Sequence, residues 1–360
     1  MAGAGLQRVA AIDCGTNSLR LLIADVDVVR GELADLHRRM EIVRLGQGVD
    51  ATGRLAPEAL GRTFAMLQDY ARTIADSGAT AVRLVATSAT RDASNADEFA
   101  AGVTRILGVA PEVVSGAEEA YLSFSGATAE LGQLRDASGE DGEEDKAGSV
   151  PGKRAPEPPF LVVDIGGGST EFVLGPAPPA GTGVAGGTGA SGRDDRGLAA
   201  MSMNIGCVRL TERHLRSDPP DQAQIAAATA DIDAALSKVA SDIPVASART
   251  LVGLAGSVTT LTAVALNLPG YDSARIHHAR VSASRIHEVT LSLLSQNHGE
   301  RARNGAIHPG RVDVIGAGAL ILDRLMDRFG FAEMVASEHD ILDGIAWSIV
   351  AGGAGSVPRL

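Results

Sequence analysis

At 360 residues the chain is long enough for two domains of ordinary size, and 45% hydrophobic against 3% aromatic residues leave Leu, Val, Ile and Ala to fill the cores. A formal net charge of −12 argues against generic nucleic-acid binding, and two cysteines, Cys14 and Cys207, make neither a disulfide framework nor a metal knuckle. With no apolar run of about 18 residues and no signal-like N-terminus, the expectation is a cytoplasmic protein with neither a nucleic-acid nor a membrane partner.

The pattern is α/β throughout. Val9–Ile12 and Leu19–Ala24 read as strands around a short turn, and His37–Val43 as the next strand. From Pro57 to Ser77 the apolar residues Leu60, Phe64, Leu67, Ala71 and Ile74 step by four and three, the spacing of one helix face. Val82–Ala86 reads as a strand, Ala96–Leu107 as a helix, Pro111–Val114 as a strand and Ala117–Leu131 as a helix. The composition then changes. Residues 136–159 are acidic and rich in Gly and Pro, and residues 176–197 are similar. Neither stretch holds enough apolar surface to offset the entropy of ordering it, so both read as flexible insertions. The second sits at a hairpin tip between strands Glu171–Leu174 and Met201–Ile205. Farther on, "LVGLAGSVTTLTAVAL" (251–266) reads as a strand, a glycine turn and a helix N-capped by Ser257.

An internal repeat ties the two halves together. "VAAIDCGTNSLRLLI" (9–23) aligns with "FLVVDIGGGSTEFVL" (160–174), placing Asp13 on Asp164, Gly15 on Gly166 and Ser18 on Ser169. Both are strand, D-x-G-x-x-S turn, strand, so two related domains should face each other across a cleft. Glycines tolerate positive φ and let a backbone approach closely, so the amides of Gly15, Thr16, Asn17 and Ser18, and of Gly166, Gly167, Gly168, Ser169 and Thr170, are candidates to surround a phosphate. The Ser hydroxyls add donors, and Asp at the strand ends can hold Mg²⁺ through water.

These paired hairpins resemble the phosphate loops of the actin, sugar-kinase and heat-shock chaperone ATPase superfamily. Within it, the wording is similar to the exopolyphosphatase / guanosine pentaphosphate phosphatase (Ppx/GppA) family. The segments that carry the resemblance are "AIDCGTNSLRLLIADV" (11–26), "ATSATRDASN" (86–95), "VVSGAEEAYLSFSGA" (113–127) and "VVDIGGGSTEFVLG" (162–175), followed by "NIGCVRLTERHL" (204–215), "HPGRVDVIGAGALIL" (308–322) and "SEHDILDGIAWSIV" (337–350). The resemblance implies the short form of the family: two actin-like ATPase (ribonuclease H-like) domains, residues 1–130 and 131–339, with residues 340–360 returning as a helix to the first.

Hydrolysis of a terminal phosphoanhydride requires the phosphoryl group to be held, its charge neutralised and a water placed in line. Arg91 offers a planar fork for the terminal phosphate, and by resemblance the family's phosphate-binding arginine falls on it. Arg20 is a second candidate, with an exposed strand arginine as the alternative reading. Glu118 and Glu119 open a helix, where a carboxylate can take the proton of an attacking water. Adjacent helical residues point about 100° apart, so one alone can face the cleft. By resemblance this is Glu119, leaving Glu118 to complement the helix dipole. Also by resemblance, Glu171 occupies the place of the family's metal-site glutamate. With Asp13 and Asp164 it makes three carboxylates for Mg²⁺, with Mn²⁺ as the alternative ion.

The 251–266 turn packs on adenosine in the superfamily's kinases; here it would receive a guanosine or serve as scaffold. Between residues 275 and 311, Arg275, Arg280, Arg285, Arg301, Arg303 and Arg311 outnumber the acids, which suits a track for a long polyanion or simply solvated helix faces. The expected function is a Mg²⁺-dependent exopolyphosphatase acting on polyphosphate. The alternatives are a guanosine pentaphosphate 5'-phosphohydrolase and a nucleotide sensor with little turnover. The oligomeric state is open, a homodimer among the assemblies allowed.

Overall fold

The structure, a computed structural model, describes residues 5–136, 156–176 and 197–351. The chain builds two mixed sheets on one plan. In the first domain β1 (Leu6–Cys14), β2 (Ser18–Asp27) and β3 (Glu32–Ile42) form an antiparallel meander, followed by α1 (Val49–Thr52) and α2 (Pro57–Ser77). Next come β4 (Ala81–Ala86), α3 (Ser88–Arg91), α4 (Ala96–Leu107), β5 (Glu112–Val113) and the connecting helix α5 (Gly116–Asp136). The second domain repeats the meander with β6 (Phe160–Ile165), β7 (Thr170–Gly175) and β8 (Ala199–Met203), then α6 (Cys207–Arg213), α7 (Gln222–Asp242), β9 (Thr250–Leu254) and α8 (Ala255–Ala265). It ends with α9 (Ser273–Ile276), β10 (Arg280–Ser282), α10 (Ala283–Ser295), α11 (His298–Arg301), α12 (Ile315–Phe329) and β11 (Glu333–Ala336), before α13 (Ile341–Ala351) closes the described chain.

Strand order is β3-β2-β1-β4-β5 in the first sheet and β10-β11-β9-β6-β7-β8 in the second. In both, the strand carrying the Asp pairs antiparallel with its hairpin partner and parallel with the next strand in from the core: β1 with β4, β6 with β9. The periodic helix over 57–77 begins on Pro57 at its first turn and ends at Gly78, whose φ of 73° is the left-handed cap glycine supplies cheaply.

β1 and β2 are buried on both faces, which is why their sequence is nearly continuous in apolar residues rather than alternating. Ile12, Leu21 and Ile23 face α2 and α4 through Leu60, Leu67, Phe99 and Val103. Val9, Ala11 and Leu22 face the other way, onto Ile341, Ile345 and Trp347 of α13. The last helix thus seals the first sheet. α5 belongs to both cores: Leu122 packs with the first, while Tyr121, Phe124 and Leu131 pack with Phe160, Val173 and Val252 of the second.

The two insertion readings lie, apart from their ends, outside the described residues. One end differs from expectation: Pro156–Pro159 is held against β9, with the Glu157 amide and carbonyl both bonded to the Thr250 hydroxyl at 2.9 and 2.8 Å. The 251–266 segment also differs. α8 begins at Ala255, so Ser257 lies inside the helix and is not its cap. The turn residue is Ala255 itself at φ 64°, a costly conformation for a residue with a Cβ. Among the described residues no helix is long and apolar enough to cross a membrane.

Candidate active site

Both Asp-bearing turns are closed by the same bond. The Gly15 amide donates to the Ser18 carbonyl and the Gly166 amide to the Ser169 carbonyl, each at 3.0 Å. None of Gly15, Gly166, Gly167 and Gly168 has positive φ, so the glycines supply room rather than an unusual backbone conformation. A Cβ on Gly168 would sit 2.5 Å from Ser88 Oγ and 2.7 Å from Thr16 Oγ1. The second loop therefore lies directly against the first domain, where Thr16 and Ser88 are joined hydroxyl to hydroxyl at 2.8 Å.

The start of α6 sets the direction of the second loop's peptides. The Gly166 carbonyl accepts from the Cys207 amide at 3.0 Å, and the Gly167 carbonyl from the Val208 and Arg209 amides at 2.8 and 3.1 Å. The Gly168 carbonyl accepts from Arg209 Nε at 2.6 Å. In a trans peptide the N–H points opposite to the C=O. The amides of Gly167, Gly168 and Ser169 are thereby turned away from α6. Thr170, grouped with them from sequence, is different: its hydroxyl donates to the Ile205 carbonyl at 2.5 Å and holds the loop together.

Asp13 and Asp164 end strands β1 and β6 inside the cavity between the loops, with Asn17, Ser18, Glu119 and Ser169 on its walls. Asp13 Oδ1 and Asn17 Nδ2 are buried and have no hydrogen-bond partner, two polar atoms left for a ligand. Burial pushes the Asp13 carboxyl up against the lowering effect of Arg20. Burial also pushes Asp164 up to about 6, with Asp340 adding to the rise and the Ser123 hydroxyl, 2.7 Å away, opposing it. Glu171 is raised well above its usual range by burial and then by the nearby Glu119 and Asp164 charges. Its Oε1 accepts from the Ser202 hydroxyl at 2.7 Å.

The first turn of α5 separates the two adjacent glutamates. Ser115 caps it, its hydroxyl accepting from the Glu118 amide at 3.2 Å. Glu118 turns outward to Arg83 Nη2 at 3.1 Å. Glu119 turns inward, 7% exposed, and its carboxyl is pushed up to about 8 by burial against the lowering effect of Arg91. Arg91 is placed as Glu119's partner: its Nη1 donates to Glu119 Oε2 at 3.1 Å and to the Val114 carbonyl at 2.9 Å. Arg20 is no free strand arginine. It donates to Asp13 Oδ2 at 2.9 Å and is ion-paired to Asp340 from the segment before α13.

A second cavity of about 400 Å³ opens beside the first and shares Arg20, Ala255, Gly256 and Arg311 with it. A Cβ on Gly256 would lie 2.0 Å from the Arg311 guanidinium, so the arginine rests directly on that glycine. Arg38, Arg39, His308, Tyr271 and Glu338 line the far part. Of the arginines between residues 275 and 311, Arg311 alone lines these cavities. Arg280 pairs with Glu333. Arg301, 6% exposed, is spent on the Leu293 and Gln296 carbonyls and on Asp218. Arg275 and Arg303 are exposed away from the cavities. Sequence reasoning missed Ser123, Ser202, Asp340 and Arg209. Only Ser123 carried a local signal, one helical turn beyond Glu119 on the same face.

Known proteins resemble this chain along nearly its whole length. The Ppx/GppA phosphatase family pattern matches residues 22–139 and 143–351. The chain is 46% identical over 355 residues to "Exopolyphosphatase 2" of Mycobacterium tuberculosis, covering 96% of this chain and 99% of that one. It is 28% identical to the "Guanosine-5'-triphosphate,3'-diphosphate pyrophosphatase" of Aeromonas salmonicida, covering 95% of this chain and 59% of that one. The crystal structure of the Aquifex aeolicus member of the Ppx/GppA family superposes with a TM-score of 0.71 at 29% identity, covering 98% of this chain and 100% of that one. The two sheets are thus the paired actin-like ATPase (ribonuclease H-like) domains that the resemblance implied.

Proposed function

The chain belongs to the Ppx/GppA phosphatase family, and from that premise we propose that it is an exopolyphosphatase, cleaving the terminal phosphoanhydride bond of inorganic polyphosphate. The observation that carries this is the contact of the two glycine loops, Gly168 against Thr16 and Ser88, beside the inward-facing carboxyl of Glu119. Such a site grips a terminal phosphoryl group from two sides and leaves one face for water.

In this reading the amides of Gly167, Gly168 and Ser169, with Ser18 and Arg20, hold the terminal phosphate. Glu119 takes a proton from the water whose oxygen attacks phosphorus. The bridging P–O bond breaks, and the electron pair leaves with the shortened chain, whose phosphate carries the new charge. Arg91 orients Glu119 and keeps it ionised to lower pH than burial alone would allow. Arg311 faces the next phosphates, and the 400 Å³ cavity toward Arg38, Arg39 and His308 receives the rest of the chain. This route replaces the long surface track that the basic stretch evoked.

No three His, Cys, Asp or Glu side chains among the described residues converge on one ion position. Mg²⁺ does not ask for that, because it keeps waters and binds through one or two carboxylates plus substrate oxygens. The unpartnered Asp13 Oδ1 and the raised carboxyls of Asp13, Asp164 and Glu171 fit a cation. One or two of these carboxylates, rather than all three together, would hold Mg²⁺, or Mn²⁺, which when bound would neutralise charge on the phosphate oxygens. Two buried free thiols accord with a reducing cytoplasm.

A second reading, guanosine pentaphosphate hydrolysis, is favoured by the lining of the larger cavity. Tyr271, Met40 and Ile307 give apolar wall, and Glu338 is a carboxylate for a base's N–H groups. Phosphate release from long polyphosphate, tripolyphosphate, guanosine pentaphosphate and ATP, with Mg²⁺, separates the readings. A higher kcat/KM on polyphosphate supports the first; a preference for the nucleotide overturns it.

A further inference from the structure

Arg209 belongs to the segment "NIGCVRLTERHL", to which the reaction as derived gives no role. Its guanidinium joins three parts of the molecule. Nε donates to the Gly168 carbonyl at 2.6 Å, inside the second glycine loop. Nη1 donates to Asp50 Oδ1 of α1 and Nη2 to Asp92 Oδ2, both at 2.5 Å and both on the first domain. Asp92 is the residue after Arg91 and caps α3, the short helix that begins with Ser88. The Arg209 side chain is 11% exposed, while Asp50 and Asp92 keep 20% and 31% of their side chains in water. α6, which carries Arg209, supplies two further ties: Arg213 to Asp50 Oδ1 at 2.9 Å, and the Glu212 carboxylate accepting from the Gly48 amide at 3.0 Å.

We infer that Arg209 is a positioning residue that couples closure of the two domains to the orientation of the second phosphate loop. The bond to the Gly168 carbonyl fixes the Gly168–Ser169 peptide, and the opposed geometry of that peptide aims the Ser169 N–H away from α6. The two carboxylates hold the same guanidinium to the first domain, at the helix whose Ser88 touches the loop from the other side. When the domains part, Arg209 loses Asp50 and Asp92, and the loop loses the side chain that orders it. Three contacts from one planar guanidinium, each to a different acceptor, specify geometry as well as attraction, which a lysine cannot reproduce.

The inference rests on the phosphate-binding reading of the loops, and its test has arms that separate the two. Arg209→Gln and Asp92→Asn are compared with wild type in phosphate release and, independently of turnover, in calorimetric titration with tripolyphosphate. A less populated closed state lowers apparent affinity in proportion, so each variant should raise KM and weaken tripolyphosphate binding about tenfold, with kcat kept within about threefold. Because both act through one contact, the double variant should be no worse than Arg209→Gln alone. Arg209→Lys should fall between wild type and Arg209→Gln. Additive effects in the double variant, or unchanged tripolyphosphate affinity with only a lower Tm, would overturn the coupling and leave Arg209 a structural tie. Asp92→Asn keeps the guanidinium in place and answers the question even where Arg209→Gln folds poorly. If wild type binds tripolyphosphate and releases no phosphate from any substrate, the hydrolase reading fails while the binding arm still decides the role of Arg209.

Discussion

The two Asp-bearing hairpins share turn and closing bond, yet they carry different electrostatics. In the first, Asp13 lies directly across the strands from Arg20; in the second, Asp164 lies across from Glu171. The first hairpin is neutralised within itself, with Asp340 adding a further acid to Arg20. The second sets two carboxylates side by side where like charges destabilise a sheet, both buried and both with raised carboxyls. One duplicated framework therefore yields one hairpin with an internal ion pair and one with two facing carboxylates. Electrostatic stress at a functional site is the general expectation; here the paired hairpin serves as its internal control.

The largest effect should come from the group nearest the stressed hairpin. Glu119→Gln should cut turnover on the order of 10²–10⁴-fold while tripolyphosphate binding survives. Glu118→Gln, its neighbour on the outer face, should stay within about twofold, since an exposed pair such as Arg83–Glu118 contributes at most about 1 kcal/mol. Steady-state phosphate release decides, and a dead Glu118→Gln beside an active Glu119→Gln would reverse the assignment.

Glu171→Gln should lose activity by roughly 10–100-fold and shift the Mg²⁺ requirement to higher concentration. In EDTA the same change should raise Tm at neutral pH. The sign follows from the raised carboxyl: the folded state keeps a proton that the unfolded state loses near its ordinary value of 4.5, so stability falls as pH rises through that window. Removing the carboxyl removes the fall. Asp13→Asn, in the first hairpin, should raise Tm less, because its raised carboxyl is held down by the buried Arg20, which loses a partner. Melting curves of both variants across pH 5 to 8 would break the comparison if Asp13→Asn gained as much Tm as Glu171→Gln.

The smallest expected effect is a displacement of a pH profile. Glu119 must be ionised to act as base, and its carboxyl sits at about 8, so kcat/KM should decline as pH falls below that value. Arg91 lowers this carboxyl, so Arg91→Gln should move the acid limb to higher pH. A limb that stays in place would detach Arg91 from Glu119.

Much of this was legible in the residues themselves. The repeat exposed both hairpins, and the three-four spacing of Leu60, Phe64, Leu67, Ala71 and Ile74 marked α2 from its Pro57 start. A 100° step between neighbours showed that one of Glu118 and Glu119 faces the cleft; the identity of that residue came only from resemblance. Arg301 shows the limit. In sequence it is one of several cations in a basic stretch, while in the fold it is buried on two carbonyls and Asp218. Charge in sequence counts residues, not the acceptors that meet them.

By itself, then, the sequence determined the α/β order of elements, the duplicated loops and the carboxylates beside them, because hydrophobic period, turn chemistry and spacing are local properties. Only the tertiary structure decided that Arg20 answers to Asp340, that Ser123 and Ser202 hold Asp164 and Glu171, and that Arg209 joins Gly168 to Asp50 and Asp92. Those partners come from separate elements, and their chemistry exists only once the sheets and helices bring them within hydrogen-bond distance in a buried, weakly screened space.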